Sequence, residues 1–248
     1  MYIKNYPAKE LAGDVFQEKN YTVAVEDTIE LFVNSIPIAT ILATPEMLKE
    51  LAAGYLICEG LAKNTEDILD IKIDGKKIYV EMEKDDDLEL WHELRSSGCV
   101  GVRWEENEKV LVKSDMVFTV RSLKKSLVFL GSDVYTRTRG THAACLIDTN
   151  GDCAAKAIDV GRHNAFDKVV GKAYLEGIDT GRHFILSTGR QSAGMVLKAA
   201  RAGIPLVATK TAPLNTGIEA AERTGVCLVC FLSHEKFSVF AHPERLLV

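Results

Sequence analysis

The chain has 248 residues, of which 47% are hydrophobic and 26% charged, and its formal net charge is −5. Such a composition suits a globular chain burying one large or two modest cores, and the negative balance argues against non-specific nucleic-acid or anionic-membrane binding. No apolar run approaches the roughly 18 residues of a membrane helix. Met1–Tyr6 has no signal-peptide apolar core, so the expected location is the cytoplasm, where thiols stay reduced. Tyr21–Val25, Ile29–Val33 and Ile36–Leu42 read as strands, with a turn at Asn34-Ser35. Thr44 and Pro45 have the chemistry of an N-cap and first helical residue. Leu48, Leu51, Ala52, Tyr55 and Leu56 then form an apolar stripe that Gly60 ends. Ile68–Glu83 reads as two strands turning at Asp74-Gly75, and Lys84–Asp87 as a solvated connection. A loop around Cys99, a strand near Lys109–Lys113 and a helix over Ser122–Leu130 follow.

The pattern changes near residue 140. His142–Asp148 and Cys153–Ile158 read as a hairpin turning at Asn150-Gly151. Helices over Asn164–Glu176, Ser192–Arg201 and Ile218–Thr224 alternate with strands Phe184–Ser187, Pro205–Ala208 and Val226–Leu232. This alternation predicts a mainly parallel sheet covered on both faces, and Phe237–Phe240 reads as a last hairpin strand. The expected class is α/β: a smaller α+β domain over residues 1–120 and an αβα three-layer domain over 121–248.

In open α/β sheets ligands bind beyond the carboxyl ends of the strands. Three successive strand ends carry polar, flexible sequence here: Asp159–Asn164, Ser187–Ser192 and Thr209–Pro213. Each precedes a helix N-terminus, a place suited to anions. Arg162, Arg190 and Lys210 are thus candidate anion-binding residues, with His163 in the first cluster; the plainer alternative is three capping turns with solvated cations. Neither a G-x-G-x-x-G nor a P-loop is present.

The six Cys are scattered and read as free thiols. Cys227 and Cys230 match C-x-x-C, but residues three apart on a strand point to opposite faces, so no shared metal is expected. Cys58 and Cys153 read as core. A zinc deaminase needs H-x-E before its cysteines; after His142 that position holds Ala144, and His142 is either a pocket residue or a satisfied strand-end histidine. Cys99 lies in Arg95-Ser96-Ser97-Gly98-Cys99-Val100-Gly101-Val102-Arg103, whose small residues suit a loop. Flanking cations raise thiolate content and so reactivity, and a thiolate can accept sulfane sulfur and pass it on. The alternative is a small apolar cysteine in a turn.

Several motifs together resemble the formate dehydrogenase accessory sulfurtransferase family, FdhD. They are Val33–Thr40 with Thr44-Pro45, Leu51–Leu56 with Glu59-Gly60, Gly140–Ala144, Asp159–Ala165 with Asp167–Val169, Ser187–Arg190, Thr209–Pro213 and Phe237–Phe240. The resemblance implies a persulfide carrier. It would take sulfur from a cysteine desulfurase and deliver it to the molybdenum (or tungsten) bis-pterin guanine dinucleotide cofactor of formate dehydrogenase. It implies Cys99 as the sulfur-bearing residue, a cytidine-deaminase-like C-terminal domain and a homodimer, with no protein-ligated metal, nucleic acid or membrane partner. It also implies that Phe237, Ser238, Val239, Phe240, Ala241 and His242 form a cofactor-binding segment. Many relatives carry C-x-x-C in the loop; here Ser96 and Val102 flank Cys99 at that spacing. A single thiol can carry sulfur without forming a loop disulfide. A non-catalytic cofactor-binding chaperone therefore stands as the alternative, and a divergent nucleotide deaminase as a third.

Overall fold

The computed structural model describes residues 2–83, 93–95 and 110–248. Strands β1 (Ile3–Ala12) and β2 (Val15–Ala24) pair as an antiparallel arm that joins no other sheet. Then come β3 (Asp27–Val33) and β4 (Ile36–Ala43), whose turn places Asn34 and Ser35 at φ 49° and 69°, the left-handed pair a tight hairpin requires. Helix α1 (Leu48–Cys58), β5 (Ile68–Asp74), β6 (Lys77–Met82) and β7 (Glu93–Arg95) complete a five-stranded sheet ordered β5-β6-β3-β4-β7.

Strand β8 (Phe118–Thr119) leads into α2 (Val120–Ser126), capped by the Thr119 side chain, a 3-10 turn at Leu127–Leu130, and α3 (Asp133–Thr138). The second sheet uses β9 (His142–Ile147), β10 (Cys153–Asp159), β11 (Phe184–Ser187), β12 (Leu206–Thr209), β13 (Cys227–Cys230) and β14 (Ser238–Ala241), in the order β10-β9-β11-β12-β13-β14. Helices α4 (Arg162–Leu175), α5 (Ala193–Arg201) and α6 (Asn215–Thr224) connect them. Strand β15 (Leu246–Leu247) runs parallel to β8.

The second sheet is mixed rather than mainly parallel. β11-β12 and β12-β13 are parallel, whereas β9 runs antiparallel to β10 and β11, and β14 antiparallel to β13. From β10 to β13 the chain steps steadily in one direction, and right-handed crossovers then keep all the connecting helices on one face. Phe166, Val169, Met195, Val196 and Ala220 accordingly share one core with Leu146, Ile185 and Val207. The other face (Cys145, Ile147, Phe184, Leu186) is covered by Phe118, Leu123, Leu127 and Leu130.

The first core continues through α1 into Ile29, Leu31 and Ile41 of the five-stranded sheet. Helices α1 and α4 cross at backbone contact: a Cβ on Gly54 would lie 1.7 Å from the Asp167 carbonyl oxygen, and one on Gly171 would lie 1.9 Å from that of Glu50. Only glycine fits at either position.

Two local expectations fail. Residues 110–113 form no strand; Val112 instead donates its N–H to the Thr224 carbonyl. Thr44 does not cap α1, which begins at Leu48 after a left-handed Met47. Thr44 is drawn into a buried network instead: its N–H donates to Asp159 Oδ2 at 3.0 Å and its hydroxyl accepts from Val160 N–H at 3.2 Å.

Candidate functional site

The three polar strand ends do meet. β10, β11 and β12 run parallel, so Asp159, Ser187 and Thr209 finish at one edge of the sheet, and antiparallel β9 brings His142 there at its start. A cavity of about 810 Å³ opens at this edge, within the range of small-molecule sites. Thr141, His142, Thr188, Lys210 and Thr211 give it a polar wall. Leu127, Val128, Leu130 and Val160 give it an apolar one, and Ser132, Tyr135 and Arg139 line the remaining side.

Two features of the wall suit a polar ligand. The Thr141 hydroxyl is buried with no hydrogen-bond partner, and such a group is costly unless a ligand satisfies it. The His142 imidazole meets the Thr188 hydroxyl through Nδ1 at 3.1 Å, and the same hydroxyl accepts the Ala143 N–H at 3.1 Å. Burial and then the neighbouring Arg162 guanidinium hold His142 below the usual histidine range, so it is neutral at pH 7. A neutral imidazole can donate or accept a proton at one nitrogen.

Of the three cations singled out from sequence, Lys210 is exposed and lines the cavity. Arg162 opens α4 and packs against Gly189, where a Cβ would come within 2.8 Å of its own; its charge reaches the cavity through His142. Arg190 is exposed in the turn after β11, outside the cavity lining. His163 occupies the first turn of α4.

Segment Phe237–His242 lies on the edge strand β14, four strands along the sheet from β9 when both are counted out through β11, β12 and β13. Ser238 pairs with Cys230 at the cavity end of the sheet, whereas Ala241 pairs with Leu228 towards the opposite end. His242 there meets Glu244 at 2.8 Å and the Glu222 carbonyl at 3.1 Å. Phe237 and Val239 pack on the second core and Phe240 on the first. The structure does not gather the whole segment at the cavity.

Cys99 lies outside the described residues, as do Ser96 and Val102. Cys227 and Cys230 belong to different cores on opposite sheet faces, and burial pushes both thiols up to about 12. Among the described residues no group of three or more His, Cys, Asp or Glu could hold a metal.

The Asp159–Val169 motif proves to be mostly scaffold. Lys168, wholly buried, donates to Asp159 Oδ2 at 2.5 Å and to the Thr44 carbonyl at 2.7 Å. Asn164 Nδ2 donates to the Leu42 carbonyl at 2.7 Å and to Asp159 Oδ1 at 3.1 Å. Lys198, also wholly buried, spans Glu59 at 2.6 Å and Asp167 at 2.7 Å. These bonds tie the β4–α1 connection and the end of α1 to the second sheet and its helices. They thereby fix the turn that presents Arg162.

Sequence reading missed the Ser132–Arg139 wall. Arg139 sits at φ 56°, stacked 5.4 Å from the Tyr135 ring centre. Its only signal was Arg139-Gly140 beside the strand start, since α3 is too short to show a period.

An α/β protein with a mixed sheet and a polar, cation-bearing cavity at its strand ends is the class that fold and site define. The model of the FdhD/NarQ family matches residues 24–247. The chain therefore belongs to the FdhD/NarQ family. It is 36% identical over 210 residues to the sulfur carrier protein FdhD of Methanothermobacter thermautotrophicus, covering 83% of each chain. It is 33% identical over 239 residues to the protein of that name from Xanthomonas axonopodis pv. citri, covering 90% of this chain and 85% of that one. A solved chain described as a formate dehydrogenase accessory protein, from Desulfotalea psychrophila, superposes with a TM-score of 0.85 at 28% identity over 100% of both chains. Among the described residues no helix is long and apolar enough to cross a membrane.

Proposed function

We propose that this protein is a cytoplasmic sulfurtransferase that carries sulfur as a Cys99 persulfide. The donor is a cysteine desulfurase. The acceptor is the molybdenum (or tungsten) bis-pterin guanine dinucleotide destined for formate dehydrogenase, which the protein receives as a bound substrate. In this reading the protein works as a homodimer and its second sheet has the cytidine-deaminase-like arrangement. The observation that carries the reading is the strand-end cavity, with the unsatisfied Thr141 hydroxyl, neutral His142 and Lys210 on one wall. Its cations suit phosphate, its hydroxyls suit sugar or base edges, and its apolar wall suits a flat ring. The relatives' common name, sulfur carrier protein, supports the sulfur chemistry.

Guanosine diphosphate is the probe for the cavity. A hydrogen bond to a charged group contributes about 1.5–3 kcal/mol, and Lys210 is already exposed in the free protein, which favours the lower limit. Lys210→Ala should weaken nucleotide binding by about tenfold in calorimetric titration; unchanged affinity would place the ligand elsewhere. The chaperone alternative draws on the single loop thiol. It requires Cys99→Ser to restore formate dehydrogenase activity in cells lacking the wild type, whereas sulfur carriage requires that variant to fail.

A further inference from the structure

Helix α3 ends at the rim of the cavity in a strained turn. Arg139 takes φ 56° and ψ 7° at its C-terminus, a left-handed conformation that glycine adopts without steric cost. Gly140 stands one position later, yet the turn falls on the arginine. Strain of this kind persists where the surrounding structure holds it, and it gathers at ligand clamps. Three hydrogen bonds hold this turn. The Arg139 N–H donates to the Tyr135 carbonyl at 2.7 Å, the Gly140 N–H to the Thr138 hydroxyl at 3.2 Å, and that hydroxyl to the Val134 carbonyl at 2.7 Å.

The turn sets the Arg139 guanidinium over the Tyr135 ring, one helical turn earlier, with Cζ 5.4 Å from the ring centre. Both residues are exposed and both line the cavity. Among the described residues no carboxylate pairs with Arg139, whereas Arg137 on the same helix meets Asp133 at 3.7 Å. A guanidinium is flat and weakly hydrated, so one face can rest on an aromatic ring while the other receives a second flat ring. Lys210 is a compact charge with no such face. Two residues beyond Arg139, Thr141 is 7% exposed and lines the same cavity, and its hydroxyl has no partner. The run from Arg139 to Thr141 thus offers a stacking face and, beside it, a free hydroxyl for the polar edge of a ring.

We propose that Arg139, braced by Tyr135, selects the ring of the ligand. Its guanidinium stacks on a fused polar heterocycle of the purine or pterin class, and the edge of that ring meets the Thr141 hydroxyl. This inference rests on the strand-end cavity being the nucleotide site proposed above, and it adds a ring-selecting residue to the phosphate-binding Lys210. Arg139 touches the ligand and determines specificity. Tyr135 acts through Arg139 and is a positioning residue. The contact accepts flat heterocycles and gives nothing to a phosphate that carries no ring.

The test separates ring from phosphate. Guanosine and pyrophosphate are each titrated in competition with guanosine diphosphate, against the full chain and its variants. Arg139→Ala should weaken guanosine by about tenfold, the scale of stacking one base. Arg139→Lys should do the same, because lysine keeps the charge but not the plane, and both variants should hold pyrophosphate within about twofold. Tyr135→Phe should match wild type, and Tyr135→Leu should weaken guanosine alone. Lys210→Ala should show the reverse pattern, losing pyrophosphate and keeping guanosine. Arg139→Gly should lose guanosine while its Tm stays at or above the wild-type value, because glycine suits φ 56°. Guanosine affinity that is unchanged in Arg139→Ala, or restored by lysine, overturns the inference, as does a Tm of Arg139→Gly that falls with its binding. Guanosine diphosphate still bound by the wild-type chain leaves the cavity reading standing in those cases; a wild-type chain that binds none of the three probes defeats both.

Discussion

Lys168→Met removes the positive partner of Asp159 at the seam between the two sheets. Both side chains are wholly buried. The substitution deletes the 2.5 Å bond to Asp159 and leaves the Thr44 carbonyl without its 2.7 Å donor. Asp159 keeps three neutral donors, the N–H groups of Thr44 and Gly161 and the Asn164 amide, and these do not replace a cation. Breaking one side of a buried ion pair costs about 3–5 kcal/mol. In a chain of this size each kcal/mol moves Tm by about 2–4 °C, so a fall of roughly 6–20 °C is expected by calorimetry. Burial already outweighs Lys168 and raises the Asp159 carboxyl above its usual range; without Lys168 it must rise further. A carboxyl raised on folding contributes stability at low pH that is lost as pH climbs through its folded value. The variant should therefore lose less at pH 5 than at pH 8. A Tm within about 2 °C of wild type at both values would refute the assignment of this pair as the seam's anchor.

Gly171→Ala should destabilise the fold although alanine is the better helix former by about 1 kcal/mol. Its Cβ would lie 1.9 Å from the Glu50 carbonyl oxygen, so α1 and α4 must separate; denaturant unfolding should show a net loss of at least ~1–3 kcal/mol, as overpacked cores do, and unchanged stability would contradict the backbone contact. An anionic ligand in the cavity opposes the Arg162 field and raises the depressed His142, so guanosine diphosphate should bind with proton uptake on the acid side of neutrality. Titration in buffers of different ionisation enthalpy measures that uptake, and its persistence in His142→Gln would remove His142 from the cavity's proton balance.

Much of the second sheet was readable because strand and helix periods alternate with clear turns. The convergence of three strand ends followed from that alternation alone. The arm from Ile3 to Ala24 was half missed, because β1 is exposed along almost its whole length and carries no buried face to read. Thr44-Pro45 misled because a good capping residue was recruited by Asp159, 115 positions away in sequence. Partners remote in sequence also hid the role of Lys168, 124 positions from Thr44, and of Lys198, 139 positions from Glu59: charged residues on a helix read as solvated until the partners that bury them are known. The expectation of a mainly parallel sheet came from counting alternations, which do not show that β9 and β14 run antiparallel to their neighbours.

The central claim is that Cys99 bears the transferred sulfur. The direct measurement is to incubate the wild-type chain with a cysteine desulfurase and cysteine, alkylate, digest, and weigh the peptide spanning Arg95–Arg103. One additional sulfur on Cys99, removed by a reducing thiol, is the expected result. A peptide that stays unmodified while the desulfurase turns over would contradict the claim.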